Sequence, residues 1–172
     1  FLHTLAYEHN PGQFLKHVED FTIVAASFRL RLGYVLFDDA WNHKGASVTT
    51  PCVPTKGRSN SCWFSSPQDA ERTYGVTAFK RYSVDVTSLL ARFRDSIACI
   101  ELYNEPCYPG PCTGTQSVFA SSLRAAARLW VESTLRLQHA RIPVITCWND
   151  NPFTDVAELH AYNANFTAWN SV

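Results

Sequence analysis

The chain has 172 residues, 46% of them apolar and 13% aromatic, and its 15 basic side chains are balanced by 15 acidic ones. That is enough apolar material for one domain with a core, and it argues against a chain disordered as a whole. No basic stripe or block is present, which removes electrostatic binding of nucleic acid, and no run of about 18 apolar residues is available to span a membrane. The first residue is Phe1 and methionine is absent, so the chain is expected to be a fragment or a processed form of a longer protein.

In chain order, Phe1–Ala6 is a short apolar run, of which Phe1–Leu5 reads as the end of a strand, followed by the polar Tyr7-Glu8-His9-Asn10 and the turn signal Pro11-Gly12. Phe14–Ser27 sets Phe14, Leu15, Val18, Phe21 and Ala25 at three- and four-residue intervals, which predicts an amphipathic helix. Leu30–Phe37 is a buried-strand candidate that ends in Asp38-Asp39-Ala40-Trp41-Asn42. Residues 43–72 are polar and rich in Gly, Pro, Ser and Thr, and a loop of that length inside a compact domain is usually functional or disordered. Phe79–Phe93 is predicted helical, with an apolar stripe of Tyr82, Val86, Leu89, Leu90 and Phe93. Ile97–Tyr103 is a continuous buried strand that runs into Asn104-Glu105-Pro106. Ser117–His139 is the clearest helix. Ile142–Trp148 and Val156–Tyr162 are further strands, the second with Glu158, His160 and Tyr162 on one face. Phe166 begins another helical segment.

Strands alternating with helices predict an α/β fold with a parallel sheet and right-handed crossovers. One connection breaks the pattern. Only Asn149–Asp155 separates the last two strands, whereas a parallel crossover usually takes a dozen residues or more, so either that crossover is a bare loop or a strand boundary is misplaced. The strand ends carry Tyr7-Glu8-His9, Asp38-Asp39-Trp41-Asn42, Asn104-Glu105, Trp148-Asn149-Asp150 and His160-Tyr162-Asn163. An active site at that face is the design of an eight-stranded α/β barrel. The competing doubly wound sheet normally brings a glycine-rich phosphate loop, and no such motif occurs here. The expected architecture is therefore a partial (β/α)8 TIM barrel.

Tryptophan, tyrosine, histidine, amides and carboxylates at one face suit a sugar: aromatic faces stack on the ring, and polar groups fork onto hydroxyl pairs. A carboxyl beside apolar walls is raised in pKa by desolvation, as a proton donor to a glycosidic oxygen requires. Glu105 is the catalytic candidate. Asn104, Asp38, Asp39, Trp41, Trp148, His160 and Tyr162 are the candidates for substrate contact. Asp38 and Asp39 are adjacent and point to opposite faces, so at most one of them is expected to face a pocket. Trp41 and Trp148 also read as ordinary core aromatics, and His160 with Tyr162 as a satisfied core pair. Glu101 shares the parity of Tyr103 and Glu105 and is a candidate buried acid. Glu8, His9 and His3 are weak candidates. No metal and no cofactor is implied, and the partner expected is an oligo- or polysaccharide.

Glu101-Leu102-Tyr103-Asn104-Glu105-Pro106 resembles strand four of the clan A glycoside hydrolases, particularly the cellulase-like family five. Val35–Trp41 is similar to that family's third strand, Val144–Asn149 to its fifth and Leu159–Tyr162 to its sixth. The resemblance covers nearly the whole chain as strands two to six, and it implies one incomplete barrel domain over residues 1–172, truncated at both ends. It also implies retaining hydrolysis of β-linked glycans, with Glu105 as general acid/base. Retention needs a second carboxylate roughly 5 Å away as nucleophile. The resemblance puts that Glu at the end of strand seven, outside this sequence, so the fragment alone is expected to be inactive. A degenerate barrel that binds carbohydrate without cleaving it is the alternative, and a disulfide-stabilised extracellular interaction domain is a third.

Six cysteines divide by context. Cys52 and Cys62 lie in the long polar segment and Cys107 and Cys112 flank a Pro-Gly-Pro turn, so these four are disulfide candidates. Zinc is the competing reading, but no C-x-x-C spacing occurs. Cys99 and Cys147 sit inside strand-like runs. Loop disulfides, together with the glycosylation sequon Asn165-Phe166-Thr167, point to an extracellular or secretory location.

Overall fold

The computed structural model describes residues 1–40, 67–107, 113–147 and 155–158. Helix α1 (Thr4–His9) leads directly into α2 (Pro11–Ser27), and strand β1 (Leu32–Asp38) follows. Helices α3 (Pro67–Tyr74) and α4 (Val76–Ala91) come next, then a short 3₁₀ turn at Arg94–Ser96 and strand β2 (Ile97–Asn104). Helix α5 (Gly114–Leu137), β3 (Val144–Cys147) and β4 (Val156–Glu158) complete the described elements. Among these residues no helix is long and apolar enough to cross a membrane.

The four strands form one parallel sheet in the order β1-β2-β3-β4. This overturns the expected barrel. Among the described residues there are four strands, the last of three residues, and the five-strand arc of a partial barrel is not shown. The first expected strand is the clearest loss, because Phe1–Ala6 runs into helix α1. Leu2 keeps a sheet-like bond, its N–H donating to the Val35 carbonyl at 2.9 Å. A short apolar run has no decisive period. Here the His3 side chain accepts from Leu5 N–H and starts the helix, and the helix buries Tyr7 completely. Pro11 is likewise the start of a helix: it occupies the first turn of α2, where a missing N–H is not needed, and Asn10 caps the end by accepting from Gln13 N–H at 3.0 Å.

The remaining elements fall near their expected places. β3 and β4 pair in parallel although only residues 148–155 join them, so the short crossover stands. Helix α3 begins inside the segment read as a long polar loop. Residues 41–66, including Trp41, Cys52 and Cys62, lie outside the described residues, as do Cys112, Trp148, His160 and Tyr162.

The core lies between the helices and the carboxyl-terminal halves of β1 and β2, whose last five residues are all buried. Tyr7, Phe14, Phe37, Phe79, Tyr82 and Tyr103 form an aromatic cluster with ring centroids 5.1–6.3 Å apart, mostly edge to face. Tyr82 on α4 also donates its hydroxyl to the Leu36 carbonyl at 2.8 Å, which ties the helix to β1. On α5, Ala120, Leu123, Ala127, Val131 and Leu135 are buried at helical spacing. On α2 the buried side is Val18, Thr22 and Ala25. Phe21 is 59% exposed, against the expected stripe, and shares an outer face with Val24 and Phe28.

The paired edges of β1 and β2 carry one irregularity. The register shifts between Leu32, opposite Ile97, and Gly33, opposite Cys99. A Cβ at Gly33 would stand 3.1 Å from Cys99 Sγ, so the absence of a side chain there lets the two strands approach. Beyond this point the register runs without interruption to Asp38 opposite Asn104.

Candidate active site

Four of the residues singled out in the sequence meet at the carboxyl ends of β1 and β2. Asp38 and Asn104 are partners in the last register position, and Asn104 Nδ2 donates to Asp38 Oδ1 at 2.6 Å. Asp39, the next residue, is buried on other partners: its Oδ2 accepts from the Tyr103 hydroxyl at 2.8 Å and from Cys107 N–H at 2.7 Å. Its own N–H donates to the Asn104 carbonyl at 3.2 Å. Both aspartates are buried, each against a different part of the β2 end.

Glu105 follows Asn104 and is 3% exposed. Its φ is +41°, in the left-handed region that non-glycine residues rarely adopt. The residue before a proline is moreover driven toward extended backbone, and Pro106 comes next. Cys107 is left-handed as well, at φ +71°. The tip of β2 thus places two strained residues on either side of a proline, in a buried setting. Strain of this kind costs about 1–3 kcal/mol per residue and persists only where the surroundings over-determine it. Cys107 is also held in a disulfide. Cys99 and Cys147 take no part in a disulfide.

The electrostatics follow from burial. Asp39 is pushed up from 3.8 to about 6, chiefly by desolvation. The hydrogen bonds from Cys107 and Tyr103 pull it back, while Asp38 and Asp69 push it further up. Its Oδ1 is buried and has no hydrogen-bond partner among the described residues. Burial raises the Tyr103 phenol well above its ordinary value, with Asp39 beside it adding to the effect, so the hydroxyl remains a donor. Of the three buried carboxylates at this pair of strand ends, Asp39 is the one that burial pushes toward holding a proton near neutrality.

Three participants lie outside the sequence candidates: Tyr103, Arg124 and Thr146. Tyr103 was read only as part of the strand, yet it anchors Asp39. Arg124 lies on the buried side of α5 and is 7% exposed. Desolvation lowers its guanidinium pKa, and the nearby Tyr103 and Cys147 counter that. A charge set within the apolar stripe of Ala120, Leu123 and Ala127 was the available signal. Thr146 on β3 joins the same group by donating to the Tyr103 carbonyl at 3.4 Å.

Other candidates have separate settings. Glu101 is buried midway along β2. Glu8 pairs with Arg81 of α4 at 2.6 Å, His3 caps α1, and His9 is exposed on that helix. Trp41, Trp148, His160 and Tyr162, expected to contact a sugar, fall outside the described residues.

Comparison with family models, with curated proteins and with solved structures finds no match to this chain.

Proposed function

We propose that this chain belongs to an enzyme that hydrolyses O-glycosidic bonds in a β-linked glycan, with Glu105 as general acid/base. The observation that carries the reading is the setting of Glu105. A buried carboxylate at a strand tip is held in left-handed backbone directly before a proline. Backbone strain concentrates where a side chain has to be aimed for function. A plain surface acid at a strand end would relax to ordinary φ and to solvent.

The chemistry follows from the position. Glu105 would deliver its proton to the leaving-group oxygen. Once a glycosyl–enzyme ester has formed, it would take a proton from the attacking water. Asn104, next to it, is the residue assigned here to a substrate hydroxyl, with its amide Nδ2 already held by Asp38. Asp38 is engaged with Asn104, and Asp39 with Tyr103 and Cys107, so neither is assigned as nucleophile. That role goes to a second Glu, which the resemblance at Asn104-Glu105-Pro106 puts outside these residues. The parallel sheet contributes nothing to this assignment, because function rests on the site and not on the fold. The disulfide at Cys107 supports an extracellular or secretory setting.

The test is Glu105→Gln in the protein, assayed on aryl β-glycosides and β-linked polysaccharides. Activity is expected to fall about 10²–10⁴-fold, the usual worth of general acid–base catalysis. Retention of more than about a tenth of it would remove Glu105 from the role.

A further inference from the structure

We infer that Asp39 is a positioning residue: it clamps the Glu105–Cys107 turn in its left-handed course and so sets where the Glu105 carboxylate stands. The inference rests on the reading of Glu105 as proton donor.

Asp39 reaches the β2 tip at three points. Its N–H meets the Asn104 carbonyl, immediately before Glu105. Its Oδ2 takes Cys107 N–H, two residues after Glu105, and the Tyr103 hydroxyl, two residues before it. The chain on both sides of Glu105 is thereby pinned to one side chain, itself 5% exposed and fixed at the end of β1. Between the two outer anchors lie the left-handed φ of Glu105 and the proline that disfavours it. A tip of this conformation does not hold itself, since local preference opposes it at both Glu105 and Cys107. A carboxylate suits the clamp because one oxygen accepts two donors at once, with charge-assisted strength. Asp39 touches no bond that is made or broken. It acts through Glu105.

The experiment compares Asp39→Ala, Asp39→Asn and Glu105→Gln, all with the Cys107 disulfide intact. Two quantities are read: the amide hydrogen exchange of Cys107, and kcat and KM on an aryl β-glycoside. Asp39→Ala should speed Cys107 exchange by about tenfold or more, as a lost buried hydrogen bond predicts. It should lower kcat by about 10- to 100-fold with little change in KM, the signature of a misplaced catalytic group. Asp39→Asn keeps an acceptor without the charge and should fall between the wild type and Asp39→Ala on both. Glu105→Gln should lower kcat by about 10²–10⁴-fold and leave Cys107 protected. Unchanged Cys107 exchange in Asp39→Ala overturns the clamp. So does faster exchange with unchanged kcat. If Asp39→Ala does not fold, Asp39→Asn decides by the same two criteria. A fully active Glu105→Gln sinks the proton-donor reading instead, and the clamp on the turn then stands or falls on Cys107 exchange alone.

Discussion

Asp38 and Asn104 close the β1–β2 pair with a side-chain hydrogen bond of 2.6 Å, made across the last position of the register. Both are buried, so the bond fixes the relative position of the two strand tips where water does not compete. Asp38→Ala would leave the Asn104 amide without this acceptor. The expected loss is about 1–3 kcal/mol, the usual consequence of stranding a buried donor. Asn104→Asp should be at least as harmful above the carboxylate range, because two carboxylates would then face each other across the pair. Urea unfolding at neutral pH and again near pH 4 checks both. The Asn104→Asp defect should shrink at the lower pH, and a pH-independent defect would count against the facing-charge account.

Asp39 gives stability a predictable pH dependence. Its folded-state pKa of about 6 lies above the ordinary 3.8, so the folded chain binds this proton more tightly than the unfolded chain does. The stabilisation is fully present below about pH 4 and is lost as pH rises through about 6, amounting to about 3 kcal/mol at most. Asp39→Asn cannot ionise and lacks this term. Denaturant midpoints of the two proteins between pH 3.5 and 7.5 should therefore diverge in favour of the variant as pH rises. Tyr103→Phe removes a donor that holds the pKa down, so it should move the transition to higher pH. Parallel pH profiles for wild type and Asp39→Asn would contradict the assignment.

The strain at Glu105 can be read directly by comparing Glu105→Gly with Glu105→Ala. Both variants lose the carboxylate, and only alanine keeps the Cβ that opposes φ +41°. Glycine should be the more stable of the two by about 1 kcal/mol, although glycine is ordinarily the weaker residue. Calorimetric melting of the pair settles this, and an advantage for alanine would mean that the backbone there is unstrained.

Gly33 and Cys99 should be coupled. A methyl group at position 33 would press on Cys99 Sγ at 3.1 Å, so Gly33→Ala is expected to destabilise despite the entropy it removes from the unfolded chain. Cys99→Ala should relieve that pressure. A double-mutant cycle on these two positions should give a coupling energy of about 1 kcal/mol, and additive effects would show that the thiol simply moves aside.

The long periodic elements were legible from sequence. β1, β2, α4 and α5 are found close to where apolar runs and helical spacing put them, because burial writes those patterns directly. Helix α1 was not legible: six apolar and mixed residues fit a strand as well as a helix, and the His3 cap decides the matter. Helix α3 was hidden in polar residues, since only Pro67 and Ala70 are buried. The barrel failed for a different reason. Alternation of strands and helices predicts parallel pairing, which is what forms, but it carries no information on whether a sheet closes. At the site, Asp38, Asp39, Asn104 and Glu105 were visible as polar groups at the ends of apolar strands. The bond from Cys107 to Asp39 spans 68 residues of sequence, and the left-handed turn of Glu105 runs against the local preference of a residue before proline. Neither leaves a trace in composition or period.

The left-handed tip of β2 also makes a prediction about descent. Glycine adopts that backbone freely, so a lineage that ceased to use the carboxylate would have nothing to hold glutamate at position 105. Drift would then favour glycine, and the aspartate that pins the turn would be released from constraint with it. The pair formed by positions 39 and 105 is therefore a marker: sequences that keep both acids are those in which the tip is still in service, and sequences that lose one are expected to lose the other.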